Sequence, residues 1–535
     1  MRRTVHLVFA LALVYSASLA FAVGAAANPE RLVIALPPMG VETNRIWAGA
    51  WVIHTQFEPM LETLIGNDPV TGEPIPRLAE SWEANEDFTA WTFYLRQGVQ
   101  FHFDYGEFTA EDVQHTYELL SREDSLVNMA SVWRDRIREV EIVDDYTVTF
   151  HFDEPYVDGE RLFSRTGGEM YITSKAQWDE GGVDAVDERI VGTGVYRYQG
   201  RAEGENLVVE AVEDHWRDEA AFQEIEFRWV PDETTRMAQL LTAEVHAAAM
   251  GRDVAASAEG QGMRVIASQR ENMQRFVPFG GLYFNEGDPQ IREDNPLIDR
   301  NVRKALIRAV DLEAIQDELY HGRVTETYRP GFVPEHEGWN EEWAERFHDL
   351  YGYDPDRARE LLEEAGYGPG QMEVRINHYE HPGQPESPDV LESLQPFWEA
   401  VGVTAHVTPV DFGTFLSRWF EDQGVHGEVW ITRNTPIRTT QEFIEFWHTT
   451  AGEGKLYLDD FVEERIVDLR HAVDPEERDE IAREIGNHLF EEFVLIPLGA
   501  THVEIVINPD VIADWTWPGQ APTNWTHFYM IEPAQ

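Results

Sequence analysis

One segment late in the chain combines cations with an absence of acids. The chain carries 98 aspartates and glutamates, yet the segment from Trp430 to Gln441 contains none of them and holds Arg433, Asn434 and Arg438 instead. A buried cation disfavours an ammonium group and suits a carboxylate, a phosphate or hydroxyl groups. The segment therefore predicts a binding site for an anionic or hydroxyl-bearing solute. The alternative, that Arg433 pairs with one of the many acids of the chain, stays open.

Tryptophan is the second residue type that could serve binding, since the chain has 17 of them. A flat aromatic face suits a sugar ring, an apolar side chain or a cation. A tryptophan also packs well into an apolar core, so each candidate has both interpretations. The candidates for binding are Trp47, Trp51, Trp430 and Trp447.

Two histidines have a spacing that could touch a metal. These are His378 and His381, with Glu380 between them. The surrounding segment, NHYEHPGQPESP, is rich in turn-forming residues and predicts a surface loop. We therefore predict no metal site and no cofactor.

Common signatures of catalysis are missing from the sequence. It contains no G-x-S-x-G, no H-E-x-x-H and no Walker-type loop. Pairs of carboxylates, which a glycoside hydrolase needs, are expected from this acid-rich composition alone. We predict no catalytic residue, and a secreted hydrolase is the alternative function.

The charge and length of the chain restrict its class. The 42 basic residues leave a formal net charge of −56, which repels nucleic acid and anionic lipid. A length of 535 residues exceeds one typical core and predicts two or more lobes. No cysteine is present, so the chain has neither disulfides nor a cysteine that could accept a lipid anchor.

The first residues predict an export signal. Arg2 and Arg3 supply a positive start, residues 5–21 are almost entirely apolar, and small residues follow, with cleavage expected after Ala22 or Ala27. A retained membrane anchor is the alternative, which the serines inside the apolar run disfavour. We expect a signal peptide at residues 1–27, a periplasmic or secreted location, and a mature charge of about −58.

Strands and helices alternate along the chain and must position these residues. Alternating apolar residues predict strands at residues 91–95 and 147–152. N-caps and apolar stripes predict helices that open at Thr109, Asp354 and Asp474. A further stripe from Val302 to Val310 predicts a helix with Arg303 and Arg308 off its buried face. The predicted class is α/β with mixed sheets.

Ordered blocks along the chain resemble a known family. They are FEPMLETLIGNDPVTGEPIPRLAESWE from Phe57, WTFYLRQGVQFH, FTAEDVQHTYELL, GTGVYRY, LYFNEGD, VRKALIRAVDLEAI and YDPDRARELLEEAGY. In this order they resemble the extracellular solute-binding proteins of family 5, which serve importers of oligopeptides, dipeptides and nickel. The blocks span more than four hundred residues, so the resemblance does not depend on any single motif.

The resemblance implies a periplasmic-binding-protein-like fold of the large cluster C type, with two lobes joined by a hinge. The implied division is 28–283 for lobe I, with 76–191 as its extra subdomain, 284–499 for lobe II, and 500–535 as the return to lobe I. The implied hinge is at residues 282–285 and 494–506. The ligand lies between the lobes, where the four candidate tryptophans are expected to border the cleft.

The resemblance also implies a function. The protein is expected to capture a solute and deliver it to the permease of an ABC importer, as a monomer and without chemistry on the ligand. Peptide-binding relatives carry an acidic motif, whose first carboxylate grips the peptide amine, where this chain has Arg433 and Asn434. Three ligand classes stay open: a peptide-like solute, an oligosaccharide, and an anionic or metal-chelate solute.

Overall fold

The structure is a computed structural model that describes residues 30–38, 42–49, 54–127, 129–165, 167–271, 273–284, 294–379, 384, 386–420, 425–434, 439–452, 454–519 and 525–534. The predicted signal peptide at residues 1–27 lies outside the described residues, as do Trp51, Glu380, His381 and Arg438.

The first half of the chain alternates strands with helices. Its strands are β1 (Arg31–Leu36), β2 (Ile65–Asn67), β3 (Pro74–Pro76), β4 (Ala79–Ala84), β5 (Ala90–Leu95), β6 (Ile137–Asp144), β7 (Thr147–Phe152), β8 (Tyr196–Ala202), β9 (Asn206–Ala211), β10 (Glu224–Trp229), β11 (Ala247–Ala248) and β12 (Arg264–Ala267). Its α-helices are α1 (His54–Phe57), α2 (Ala110–Leu120), α3 (Ala130–Asp135), α4 (Gly159–Leu162), α5 (Lys175–Gly181), α6 (Val183–Glu188), α7 (Glu233–Leu241) and α8 (Arg252–Glu259).

The second half is richer in helix. Its strands are β13 (Met273–Pro278), β14 (Leu282–Tyr283), β15 (Met372–His378), β16 (Val403–Pro409), β17 (Glu428–Val429), β18 (Thr432–Asn434), β19 (Tyr457–Leu458), β20 (Leu495–Thr501), β21 (Glu504–Ile507), β22 (Ile512–Trp515) and β23 (Ile531–Pro533). Its α-helices are α9 (Arg300–Arg308), α10 (Leu312–Tyr320), α11 (Glu342–Tyr351), α12 (Pro355–Glu364), α13 (Ser387–Ala400), α14 (Phe412–Phe420), α15 (Thr440–His448), α16 (Asp460–His471) and α17 (Pro475–Glu491).

Two large apolar cores define two lobes. The core of lobe I is built from β1, β5, β7, β9, β10 and α2, and the core of lobe II from β15, α9, α12, α13, α15 and α17. A sheet in the order β12-β21-β11-β1-β10-β9-β8 crosses lobe I, where β1 pairs in parallel with β10 and β9 pairs antiparallel with β10. The predicted α/β class with mixed sheets is confirmed.

The chain crosses between the lobes twice. Met273 packs in the core of lobe I and Phe276 in that of lobe II, and Leu498 and Val503 mark the return. The strands β13 and β20 that make these crossings pair antiparallel with each other. The predicted division at residue 283 lies beyond the first change of core, and the assignment of lobe boundaries stays a prediction.

Local signals for the elements are confirmed. Thr109 and Asp112 form the predicted capping box of α2, and Asp354 and Asp474 cap α12 and α17, each followed by a proline in the first turn. The predicted strands at 91–95 and 147–152 lie within β5 and β7. Each of these signals acts within a few residues, so sequence alone is sufficient to find it.

The position of Arg303 contradicts one prediction. The apolar stripe of α9 is buried as expected, but Arg303 is buried with it rather than lying off the buried face. Its guanidinium donates to the carbonyls of Leu297, Ile298 and Glu492, and it pairs with the Glu492 carboxylate at 2.9 Å. These partners, most of them carbonyls that no side-chain pattern reveals, offset the cost of burying the charge.

Candidate functional site

A three-stranded sheet at the junction of the lobes carries the two polar site candidates. β13 lies between β18 and β20 in this sheet, and all six residues of β13 are buried. The register places Gln274 opposite Asn434 and Arg275 opposite Arg433. Because β13 and β20 are the crossing strands, Arg433 and Asn434 lie beside the connection between the lobes.

Asn434 is held in place by a buried hydrogen bond. Its amide Nδ2 donates to the Gln274 side-chain oxygen over 3.1 Å, and the same oxygen accepts the Gly331 backbone N–H at 2.8 Å. The Asn434 side-chain oxygen is buried and has no hydrogen-bond partner in the described part of the chain. A buried acceptor without a donor is costly, and such a group often marks a place where a ligand or water binds.

Arg433 is half-buried and faces another arginine across the strand pair. Like charges on facing strand positions repel each other. Arg275 is neutralised by Glu386, whose carboxylate lies 2.6 Å from its guanidinium. Arg433 also lies near Tyr379, where it opposes the rise in the pKa of that phenol caused by burial. Arg433 thus contributes a guanidinium to the wall of lobe II at this point.

Two of the candidate tryptophans belong to an aromatic cluster in lobe II. Trp419 lies between them, with ring centroids 4.8 Å from Trp430 and 5.7 Å from Trp447. The indole N–H of Trp419 donates to the Gly454 carbonyl. The indole nitrogens of Trp430 and Trp447 are buried and have no hydrogen-bond partner among the described residues. Two indole donors and the Asn434 acceptor, all in lobe II, thus have no hydrogen-bond partner among the described residues.

Trp47 is placed elsewhere. It is buried in the core of lobe I, where its ring packs edge-on against Trp178 and beneath the Arg122 guanidinium. Trp430, Arg433, Asn434 and Trp447 all belong to lobe II, whereas these contacts of Trp47 lie inside lobe I. Its role in binding stays a prediction, as does that of Trp51.

Lobe I contains a small polar cavity that sequence reasoning missed. It measures about 50 Å³, and its lining includes Glu58, Glu62, Arg77, Asp218 and His527. Burial raises the pKa of Glu58 and Glu62 and lowers that of His527. Ligand pockets are roughly 300 Å³ or larger, so this cavity suits ordered water rather than a solute. Glu58 and Glu62 lie within the FEPMLETL block, whose sequence signal pointed only to the family.

Of the two candidate histidines, only His378 lies within the described residues. His378 ends strand β15 instead of lying in the expected surface loop, and its Nε2 is 3.1 Å from the Glu392 carboxylate. The described residues contain no group of three or more histidine, cysteine, aspartate or glutamate side chains suited to a metal ion.

Residues 73–443 match the family model described as bacterial extracellular solute-binding proteins, family 5. The chain belongs to this family. The dipeptide-binding protein of Escherichia coli K12 is 26% identical to this solute-binding protein over 383 residues, which cover 67% of this chain and 68% of that protein. The family resemblance predicted from the ordered sequence blocks is thus confirmed.

Solved structures show the same fold. The DppA periplasmic binding protein of Helicobacter pylori, in complex with the peptide STSA, has a TM-score of 0.75 at 20% identity and covers 95% of this chain and 99% of its own. NikA from Brucella suis, in complex with Fe(III)-EDTA, has a TM-score of 0.75 at 19% identity and covers 94% of this chain and 99% of its own. The periplasmic-binding-protein-like fold is confirmed.

Family membership establishes the general function. The protein is a substrate-binding protein of an ABC importer, and it works with a membrane permease. The structurally similar DppA is a periplasmic binding protein. Within the described residues, no helix has the length and apolar character needed to cross a membrane.

Proposed function

We propose that this solute-binding protein captures a solute rich in carboxylate or hydroxyl groups in the cleft beside Arg433. The observation that carries the proposal is the position of Arg433 on β18, opposite Arg275 of the crossing strand β13, in a segment without acids. Among the described residues, the buried indole N–H groups of Trp430 and Trp447 and the buried side-chain oxygen of Asn434, all in lobe II, have no hydrogen-bond partner. Two donors and an arginine suit carboxylate or hydroxyl oxygens, and the amide oxygen suits a hydroxyl hydrogen.

A free-amine peptide fits this wall less well. The segment from Trp430 to Gln441 offers no carboxylate for an ammonium group, and Arg433 repels one. The dipeptide-binding relative and the peptide-bound DppA support a peptide-like ligand as an alternative. Such a ligand would fit this wall best with its amine blocked or held elsewhere. The Fe(III)-EDTA ligand of NikA is a polycarboxylate chelate, and it supports the anionic class.

An oligosaccharide is the second candidate. Trp419 and Trp447 stack with their rings 18° from parallel, and Trp430 adjoins them. Aromatic faces of this kind suit the apolar faces of sugar rings, and hydroxyl groups would satisfy the same indole donors.

The proposal includes binding without catalysis, action as a monomer, and no binding of nucleic acid. It also includes export by a removed signal peptide and no lipid anchor on cysteine. The supports are the net charge of −56, the absence of cysteine, and the apolar N-terminal run. Conversion of a bound probe at a rate that depends on the protein would contradict the non-catalytic part.

A thermal-shift screen tests the ligand class. The probes are alanyl-alanine, glutathione, glucuronate, maltotriose and Fe(III)-EDTA. A probe that binds and is present at about 100-fold excess over its Kd stabilises the fold by about 2.7 kcal/mol. We expect shifts with glucuronate, Fe(III)-EDTA or maltotriose. A shift confined to alanyl-alanine would overturn the proposed class.

A substitution then tests the site. Arg433→Ala should weaken the best probe of the screen at least tenfold, about 1.4 kcal/mol, because the cation is lost from the wall. Arg465→Ala is the matched control, since Arg465 pairs with Asp468 and Glu484 on the surface of lobe II. Titration calorimetry measures both variants. Equal affinity of Arg433→Ala and the parent protein would remove Arg433 from the site.

A further inference from the structure

The lobes contact each other through charged groups away from the crossing strands. Arg136, directly after α3 in lobe I, places its guanidinium 3.1 Å from the Glu445 carboxylate on α15 of lobe II. The other oxygen of Glu445 accepts from Arg470 on α16 at 2.7 Å and from Gln441 at 3.0 Å. Glu445 is therefore held by lobe II in the position that receives Arg136.

A second contact is more deeply buried. The Tyr156 hydroxyl of lobe I donates to Glu442 of lobe II over 3.3 Å, with the two residues only 6% and 9% exposed. Tyr156 stacks on Phe152, and Glu442 forms the capping box of α15 with Thr439. Both partners are thus fixed by their own lobes before they meet. At 3.3 Å this hydrogen bond is longer than a usual O–H···O bond, so its contribution comes from burial of the pair rather than from a short contact.

A third contact joins Asp158 of lobe I to lobe II. The Arg478 guanidinium on α17 lies 3.7 Å from Asp158 and 3.3 Å from Glu337. Burial raises the pKa of Glu337, and Asp158 raises it further. The buried Arg478 therefore holds two acids from different lobes that would otherwise repel each other.

We propose that these residues form a latch that keeps the cleft closed without contacting the solute and so sets its affinity. The latch consists of Arg136, Tyr156 and Asp158 on lobe I and Glu442, Glu445 and Arg478 on lobe II. None of them lies on the crossing strands β13 and β20. Rotation of the lobes about these strands separates such groups, whereas the crossing strands stay paired.

Electrostatics explain why a latch is useful here. Both lobes belong to a chain with a net charge of −56, so like charge favours the open state. A solute binds the closed state, and its apparent Kd rises in inverse proportion to the closed fraction. Three contacts at fixed positions raise that fraction before any solute arrives. The inference rests on the proposed closure of the lobes around a solute, but not on the class of that solute.

Spin labels on the two lobes test the latch directly. Because the chain has no cysteine, Val143→Cys on β6 and Val467→Cys on α16 provide a unique pair of sites, 55% and 46% exposed. Pulsed electron resonance gives the distance distribution between the labels without added solute. We expect one dominant short distance in the labelled parent protein.

Disrupting the latch should open the cleft. The double variant Tyr156→Phe, Arg136→Gln should show a second, longer distance between the two spin labels. The ratio of open to closed molecules should rise about tenfold. The control combines Tyr94→Phe with Arg465→Gln, which removes a hydroxyl contact to Glu83 and an ion pair to Asp468, each inside one lobe. The control should keep the parent distribution.

A second variant distinguishes loss of the latch from misfolding. Glu445→Gln keeps the shape of the side chain while removing the charge that receives Arg136, and circular dichroism checks that it is folded. Distances equal to those of the parent in both the double variant and Glu445→Gln would overturn the latch, as would an open parent protein. Because the measurement uses no solute, a failed ligand screen leaves its result unaffected.

Discussion

Single buried polar side chains in this protein depend on partners that are remote in sequence. Arg303 is buried because Glu492 and nearby carbonyls receive its guanidinium. Asn434 is oriented by Gln274, 160 residues earlier in the chain. His102 is buried with Nε2 against the Gly194 carbonyl. In each case the side chain alone does not reveal whether burial is tolerated.

His102 leads to a prediction of pH dependence. Burial lowers the pKa of His102 from its ordinary value of 6.5 to about 4, so the stability that depends on its neutral form is fully present above pH 6.5. That stabilisation is lost as pH falls through the folded-state pKa. The loss is about 3 kcal/mol at most. His102→Gln should lack this part of the pH dependence of the unfolding free energy between pH 6.5 and 4, measured by urea titration. Equal pH slopes for the two proteins would contradict the prediction.

Helices and strands divide into those with local signals and those without. The caps at Thr109, Asp354 and Asp474 specify where α2, α12 and α17 begin. The short strand β18 has no such signal, and it exists because β13 offers it paired hydrogen-bonding groups. The candidate site lies on that second kind of element, so its position depended on long-range pairing.

Substitution of Gly331 tests how the segment around this residue is positioned against α15. Its φ is +90°, and a Cβ there would overlap the ring of Phe443 on α15. Gly331→Ala should therefore lower the free energy of unfolding by about 3 kcal/mol through backbone strain and overpacking. Gly322→Ala is the control, because its φ is +66° but its Cβ would meet nothing closer than 3.9 Å. That control should cost about 1 kcal/mol, from strain alone.

Chemical denaturation measures both glycine variants. Equal losses of stability would show that contact with Phe443 does not limit this position. A larger loss for Gly331→Ala would show that the close approach of residue 331 to α15 is required, and this approach keeps the Gly331 N–H on Gln274 beside Asn434.

Two apolar cores and a large negative charge determine the stability of the molecule as a whole. The cores explain why the described residues form lobes rather than one compact unit. The charge opposes both folding and closure, since like charges repel in each compact state. The latch and the sheet of crossing strands are the features that counteract this repulsion between lobes.

Salt should therefore stabilise the protein. The Debye length falls from about 10 Å at 0.1 M to about 3 Å at 1 M salt, which screens repulsion among exposed acids. We expect the thermal midpoint to rise between these concentrations, measured by calorimetry with the same salt throughout. A constant or falling midpoint would show that self-repulsion does not limit stability.

The amino-acid sequence alone determined the family, the α/β class, the capped helices and the missing carboxylate near Arg433. These depend on composition, spacing and contacts within one or two turns, all of which the linear chain contains. Only the folded chain places Arg433 opposite Arg275, buries Arg303 and joins Tyr156 to Glu442. It also leaves the Trp430 and Trp447 indoles without a hydrogen-bond partner among the described residues. The physical reason is that burial and pairing depend on groups far apart in sequence, and only tertiary packing brings those groups within hydrogen-bonding distance.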